Sequence, residues 1–297
     1  MAIGNNQTSL TSSGFGLELK DIDLAELDDN TKSILVEGFY ASGGAILIRN
    51  QQHLTPIQLC DFVSLFGSVE KNEKYDPNFL EPDFPEVLRI GNLMEDGQRK
   101  ALWIKSDEER LWHSDDTFRH PQPIGSCLFC VTAPPTGGET WFAGMGEAYD
   151  DLTFEIKQKI KPLTALHSYN HLNEFLRKTN PHRPPLSSEM RKNLPPITRP
   201  LIVEHPVTHK KALCVTNIHI EAISDLDETE ARVLLNDLLD HATKPEFVFS
   251  HAWKPGDLIV WDNRCAMHAP SPFDENKYNR LMYRLTMNGE QVIPDGN

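Results

Sequence analysis

Hydrophobic positions along the chain fall into two regimes. In three places they recur at helical spacing. Ile34, Leu35, Gly38 and Phe39 form a stripe after the potential caps Asp28 and Asp29 and before Gly43-Gly44, which predicts a helix over 24–40. Thr55-Pro56 opens a second helix that carries Leu59, Phe62, Val63 and Phe66 and stops at Gly67. A third spans 227–243, with apolar residues at 233, 234, 235, 238 and 239. Elsewhere the pattern shortens to strand-length runs: 45–49, 87–90, 124–131, 140–142, 201–204, 212–215, 247–251, 257–262 and 281–287. Pro134-Pro135, Gly137-Gly138 and Pro255-Gly256-Asp257 punctuate them. Many short strands and few helices suggest a mostly β sandwich or jelly roll with helices outside it. The stretch 170–200 breaks the pattern with prolines at 181, 184, 185, 195 and 196. It reads as a long loop with one short helix, a candidate lid.

Composition narrows the classes. The 297 residues hold 29 Lys plus Arg against 43 Asp plus Glu, a formal net charge of −14. Such a chain lacks the clustered cations that hold a nucleic-acid backbone. No apolar run approaches the ~20 residues of a membrane helix. Met1 to Ser13 is polar, without the basic and apolar regions of a secretory signal. Five cysteines (60, 127, 130, 214, 265) make no disulfide framework and point to a reducing compartment, so a soluble cytoplasmic protein is expected. Cys127 and Cys130 have CxxC spacing but lie in an apolar run, which favours buried core thiols.

The candidate chemistry starts at Trp112-His113-Ser114-Asp115. On an extended strand residues i and i+2 share a face, so His113 and Asp115 can present an imidazole nitrogen and a carboxylate oxygen to one point. A further ligand would complete the two-His, one-carboxylate face that suits non-haem Fe(II) and leaves positions open. Alone, His-x-Asp is a weak signal. The C-terminal part adds Trp261-Asp262-Asn263-Arg264, His268 and the alternating run Arg280 to Met287. There Leu281, Tyr283 and Leu285 take one face and Arg280, Met282, Arg284 and Thr286 the other. An arginine enclosed by a second sheet needs an anion, because an unpaired buried charge costs several kcal/mol, and a dicarboxylate ligand would supply one.

These residues resemble the taurine dioxygenase family of Fe(II)- and 2-oxoglutarate-dependent oxygenases, and within it the dichlorophenoxyacetate dioxygenase branch. The matching pieces run over almost the whole chain. They include Gly14 to Glu18, Asp21 to Leu24, Leu54-Thr55-Pro56, Phe66 to Glu70, Trp112 to Phe118, Gly137 to Thr140, Trp261 to Arg264, His268 and Arg280-x-x-x-Arg284. The resemblance implies a double-stranded β-helix (jelly roll) with peripheral helices, one domain over 1–297. It implies Fe(II) bound by His113, Asp115 and His268, with 2-oxoglutarate as cosubstrate and O2 as oxidant. By it, Thr140, Arg280 and Trp253 hold the cosubstrate, and Arg284, Lys71, Asn72 and Trp112 are substrate candidates. Lys71-Asn72 stands where the taurine enzyme has a His, which argues against taurine itself. Halogenating relatives lack the carboxylate that Asp115 supplies, so hydroxylation is favoured over halogenation. A homo-oligomer is expected on the same basis alone.

Several positions keep a second reading. Arg284 could merely support Arg280, Lys71 could be a solvated lysine, and Trp112 and Phe118 could be core. Asn217 and His219 alternate in phase after a strand, which allows a pocket role or a hydrogen-bonded loop histidine. The expected activity is oxidation of a C–H bond in a small anionic substrate, with release of succinate and CO2. Oxidative cyclisation or desaturation of a biosynthetic carboxylate, a non-catalytic metal- and 2-oxoglutarate-binding protein, and a zinc hydrolase are the alternatives.

Overall fold

Side-chain caps set the helices where the apolar stripes predict them. Thr55 and Gln58 form a capping box ahead of Pro56–Val63, and Asp227 and Glu230 form another ahead of Glu228–Ala242. The first helix starts later than its stripe suggests, at Asp29–Ala41. Asp28 is its cap, accepting from the Thr31 amide at 2.7 Å, while Leu24 and Ala25 give their amides to the side chains of Gln51 and Asp23. The computed structural model describes residues 7–102, 111–179 and 182–289; the first six residues of the N-terminal stretch, and Pro181 of the proline-rich segment, lie outside them. Among the described residues, no helix is long and apolar enough to cross a membrane.

The chain is mostly β with peripheral helices. A nine-stranded sheet runs Gln7–Ser9, Leu17–Leu19, Ala45–Ile48, Leu258–Asp262, Gly125–Thr132, Leu281–Asn288, Phe84–Gly91, Leu80–Glu81, with Ser68–Val69 pairing beside Leu281–Asn288. A three-stranded sheet runs Val248–His251, Thr140–Gly144, Ala266–Pro270. Strand alternation sorts the core. On Gly125–Thr132, Cys127 and Phe129 pack with Phe62, Leu59 and Phe39 from the helices. Leu128 and Cys130 pack with Phe142, Trp253 and Trp261 between the two sheets. Cys127 and Cys130 therefore lie on opposite faces and are core thiols; burial pushes the Cys130 thiol up to about 12. The same alternation places Tyr283 and Leu285 on the helix side and Met282 between the sheets.

The proline-rich segment is more ordered than a loop. It holds the helices Tyr169–Thr179 and Ser188–Asn193, and its end, Ile197–Pro200, pairs with Thr164–His167 in a second three-stranded sheet. The longer helix has Tyr169, Leu172, Phe175 and Leu176 at helical spacing on an otherwise polar segment, with Asn173 and Leu176 buried, and the prolines that follow it obscure that stripe. The prolines cluster between and after the helices, at positions 184, 185, 195 and 196.

Candidate active site

His113 and His268 are held opposite each other by reciprocal backbone bonds. The His113 amide donates to the His268 carbonyl at 2.9 Å, and the His268 amide to the His113 carbonyl at 2.8 Å. Their imidazole centroids are 4.2 Å apart. Asp115, two residues on, falls on the same side. Its Oδ1 lies 3.7 Å from His113 Nε2 and 3.8 Å from His268 Nε2, and the ligand atoms of the three residues all lie within 4.8 Å of one another.

The surroundings prepare these atoms as donors. His113 Nδ1 lies 2.6 Å from the Leu111 carbonyl, which fixes the proton on Nδ1 and leaves the Nε2 lone pair toward Asp115. The Asp115 Oδ2 is held from the other side, by the Ser126 hydroxyl at 2.7 Å and by Arg284 Nη2 at 3.1 Å. Burial alone would push the Asp115 carboxyl up. Arg284, His268, His113 and Ser126 overcome it and hold the group well below the usual carboxylate range. Burial and the neighbouring His113 push His268 down to about 3, so it offers a neutral ring. Two imidazoles and a carboxylate converging on one point, with the far sides of His113 and Asp115 tied down, form a donor set that fits Fe(II).

Beside it is a site for an anion. Arg280 is 6% exposed, and among the described residues no carboxylate pairs with it. Burial pulls its guanidinium down to about 10. Its Nε donates to the Gly138 carbonyl at 3.1 Å, and its Nη2 lies 3.5 Å from Thr140 Oγ1. Gly138 has φ +71, and a Cβ there would meet Pro134 Cγ at 2.9 Å, so this approach requires glycine. The Trp253 indole donates to the same Thr140 oxygen at 2.9 Å. With donors on its oxygen, the Thr140 hydroxyl is left to give its own proton to an incoming carboxylate.

The other expected residues divide. Arg284 is enclosed at the triad, and its Nε is buried without a partner. Asn72 is buried, but its side chain donates to the Glu86 carbonyl at 2.9 Å, and Lys71 is exposed. Trp112 points the other way from its neighbour His113 and packs with Met145, Leu213 and Met267, as the core reading of that residue has it. Four residues join the site that the metal and anion spacing did not single out. His219 lies with its ring 5.8 Å from His113 and 5.0 Å from Phe118, and Phe118 lies 5.0 Å from Tyr169 at the start of the 169–179 helix. Tyr75 lies where its phenol feels Arg284 and Asp115; burial, the larger effect, pushes it up.

A second group of metal-capable atoms, His205, Asp262 and Cys265, has no free donors. Both Asp262 oxygens are taken by Arg264, and Oδ2 also by His205 Nε2. His205 Nδ1 accepts the amides of Val207 and Thr208. The Asp262-Asn263-Arg264 stretch is thus a structural brace.

A family model described as "Taurine catabolism dioxygenase TauD, TfdA family" matches residues 6–286. The chain belongs to that family. Over 248 residues it is 33% identical to an alpha-ketoglutarate-dependent 2,4-dichlorophenoxyacetate dioxygenase of Burkholderia sp. (strain RASC), covering 82% of each chain. It is 29% identical over 254 residues to pentalenolactone F synthase of Streptomyces arenae, covering 83% of this chain and 84% of that one. Among solved structures, AAD-2 in complex with Mn(II) and N-oxalylglycine superposes with a TM-score of 0.79 at 28% identity, covering 98% of each chain. This TauD/TfdA family member is a non-haem dioxygenase that uses Fe(II), 2-oxoglutarate and O2.

Proposed function

We propose that this dioxygenase oxidises a C–H bond of a small carboxylate substrate with an aromatic or similarly flat apolar body, releasing succinate and CO2. The observation that carries the reading is Arg284. One guanidinium nitrogen holds Asp115, while the buried Nε has no partner, and a substrate carboxylate would supply one. The rings of Phe118, Tyr169 and His219 offer an apolar wall beside it. The likeness to a phenoxyacetate dioxygenase points the same way.

In this reading His113, Asp115 and His268 hold Fe(II). Arg280 and Thr140, the latter oriented by Trp253, hold the distal carboxylate of 2-oxoglutarate. Bound together, the metal and cosubstrate supply the oxidising power for C–H abstraction. The protein's own share is geometric. Ser126 and Arg284 keep Asp115 turned to the metal. Arg284 anchors the substrate so that one C–H faces the metal, and the 169–193 segment closes over it to exclude water. Hydroxylation is the default outcome. Oxidative cyclisation of a biosynthetic carboxylate is the second reading, favoured by the likeness to pentalenolactone F synthase. The two main sheets, with the site between them, support a double-stranded β-helix in one domain, and the absence of a disulfide framework fits a cytoplasmic setting.

Anaerobic addition of Fe(II) and 2-oxoglutarate to the protein is expected to give a weak visible charge-transfer band. A panel of aryloxyacetates, aliphatic carboxylates and sulfonates, read as substrate-dependent succinate, then identifies the class. Turnover confined to sulfonates would overturn the carboxylate reading. Product mass separates hydroxylation, a gain of one oxygen, from cyclisation, a loss of two hydrogens.

A further inference from the structure

Behind the aromatic wall of the site lies a hydrogen-bonded chain that none of the roles above uses. Thr117 is 2% exposed, and its Oγ1 lies 2.9 Å from His219 Nδ1 and 2.9 Å from His167 Nδ1. The backbone here is fixed: the Thr117 carbonyl accepts from Arg199 Nε at 2.8 Å, and the His219 carbonyl accepts the Ser168 amide at 2.9 Å. Burial holds the His167 imidazole in the neutral form, its ring pushed down to about 3.

One hydroxyl proton cannot serve two imidazoles as donor, and if both imidazoles donated to Thr117 its own buried proton would have no acceptor among the described residues. A neutral imidazole carries one N–H and one lone pair, and a hydroxyl donates once. If Thr117 donates to His167, the His167 proton moves to Nε2, which is buried with no partner. An orphaned buried N–H is among the rarest and costliest arrangements in proteins. If instead Thr117 donates to His219 Nδ1, His167 gives its Nδ1–H to Thr117 and keeps only a lone pair on the sealed Nε2. That arrangement leaves no donor stranded. It also places the His219 proton on Nε2, on the ring edge away from Thr117. His219 is 2% exposed, and among the described residues no protein group bonds to its Nε2; the ring lies beside His113 and Phe118.

We infer that Thr117 and His167 are positioning residues that lock His219 in its Nε2–H tautomer, so that it donates a hydrogen bond to an oxygen of the substrate. The lock follows from the buried chain alone. The last step, donation to substrate, rests on the carboxylate-substrate reading above. With Arg284 across the site, a substrate oxygen would then meet two donors of different kinds, a fixed cation and an oriented neutral N–H. An isostere that lacks an acceptor oxygen at that point would leave the His219 N–H unpaired, so the lock contributes selectivity as well as affinity.

Two readouts test it. In the Zn(II)-loaded protein labelled with 15N-histidine, imidazole NMR reports the His219 tautomer without any substrate. In the Fe(II) enzyme, kcat and KM are measured with 2,4-dichlorophenoxyacetate as probe. Wild type and Thr117→Ser are expected to show His219 protonated on Nε2. Thr117→Val, which keeps the volume and loses the hydroxyl, is expected to give mixed tautomers. It should raise the KM of the probe about tenfold with kcat nearly unchanged, the pattern of lost uniform binding. The KM for 2-oxoglutarate should not move. His167→Phe removes the lock from its other end and should show part of the same tautomer shift, which keeps the test open if Thr117→Val folds poorly. Wild-type His219 protonated on Nδ1, or an unshifted tautomer in both Thr117→Val and His167→Phe, overturns the inference. A general loss, with the 2-oxoglutarate KM rising in step with that of the probe, also overturns it. A locked tautomer in an enzyme that never oxidises a carboxylate supports the lock and tells against the substrate reading.

Discussion

Arg284 Nη2 lies 3.1 Å from Asp115 Oδ2, so one guanidinium borders both the metal-binding carboxylate and the space a substrate would fill. Burial works against the Arg284 charge, and Asp115, with Tyr75, Asp116 and Glu70 further off, more than restores it, which leaves the cation permanently on. Two outcomes are therefore expected on replacing Arg284, one for Arg284→Met and one for Arg284→Lys. Loss of the buried charge partner should lower kcat/KM for a carboxylate substrate by about 100-fold or more, on the scale of 2–5 kcal/mol for a broken buried pair. Arg284→Lys should recover little, because an ammonium cannot bridge two carboxylates side-on as a guanidinium does. Steady-state kinetics on the pair, with 2-oxoglutarate saturating, decides it; equal recovery by Lys would mean a simple charge requirement.

Arg280 is the contrasting case, a buried guanidinium that pairs with no carboxylate among the described residues. Its anion is expected to be the cosubstrate. Arg280→Gln should raise the KM for 2-oxoglutarate by about 100-fold while leaving the KM for substrate nearly unchanged. Removing the unpaired charge should also leave the cosubstrate-free protein no less stable, since replacing an uncompensated buried ion relieves desolvation. Thermal melts with and without 2-oxoglutarate read both halves of the prediction: wild type gains stability on adding the ligand, and the variant does not.

Ser126 touches only the far oxygen of Asp115, at 2.7 Å. Ser126→Ala should weaken metal binding roughly tenfold, at the low end for loss of a hydrogen bond to a ligating carboxylate. Titration with Mn(II) followed by electron paramagnetic resonance measures it directly. An unchanged affinity would assign the orientation of Asp115 to Arg284 alone.

The parts legible in the sequence are those that a two-residue period or a capping pattern encodes. Arg280 and Arg284 share a face because the Leu281–Asn288 strand alternates, whereas His113, a lone bridge residue, and Asp115, in the turn that follows it, converge without a strand. Thr55 and Asp227 start helices because their side chains replace missing backbone partners. The candidate ligand His268 sits on Ala266–Pro270, a five-residue strand whose alanines carry too little hydrophobic contrast to mark it. The Tyr169–Thr179 helix carries Tyr169, Leu172 and Leu176 at helical spacing, but the prolines after it make the whole stretch read as a loop. The Thr117–His219–His167 chain draws on three segments far apart in sequence, and no spacing rule joins them. Arg264 beside Asp262 shows the converse: a conspicuous motif whose charges neutralise each other and carry no chemistry.

His167 gives a pH dependence with a definite sign. Its folded pKa, about 3, lies below the ordinary value of 6.5, because burial and the nearby Arg199 disfavour the charged ring. The unfolded chain then binds more protons than the native one between those values. The contribution to stability is full above pH 6.5 and is lost progressively as pH falls toward 3, with a limiting slope of about 1.4 kcal/mol per pH unit for a single group. His167→Phe should remove that share of the slope. Urea denaturation of the metal-free protein at pH 7.0, 6.0 and 5.0 checks it. A variant whose stability falls as steeply as wild type would assign the slope to other buried histidines.

The helix Tyr169–Thr179 touches the site at one end and braces itself at the other. Tyr169 packs on Phe118, while Asn173 donates to the Pro184 carbonyl at 3.1 Å, Arg183 to Asn173 Oδ1 at 2.6 Å, and Arg177 to the Arg183 carbonyl at 3.0 Å. The longer helix and the Arg183-Pro184 stretch beyond it are thus tied together, on the chain that enters at Ser168 and leaves at Ile197. If that unit is the lid, its amides should exchange faster than those of the Leu258–Asp262 strand in the free enzyme. They should slow by about tenfold or more when metal, 2-oxoglutarate and substrate are all bound without oxygen, as closure removes the open population. Hydrogen–deuterium exchange by mass spectrometry over 169–193 measures this. Protection by 2-oxoglutarate alone, with no further change on adding substrate, would make the segment part of the cosubstrate site and end the lid reading.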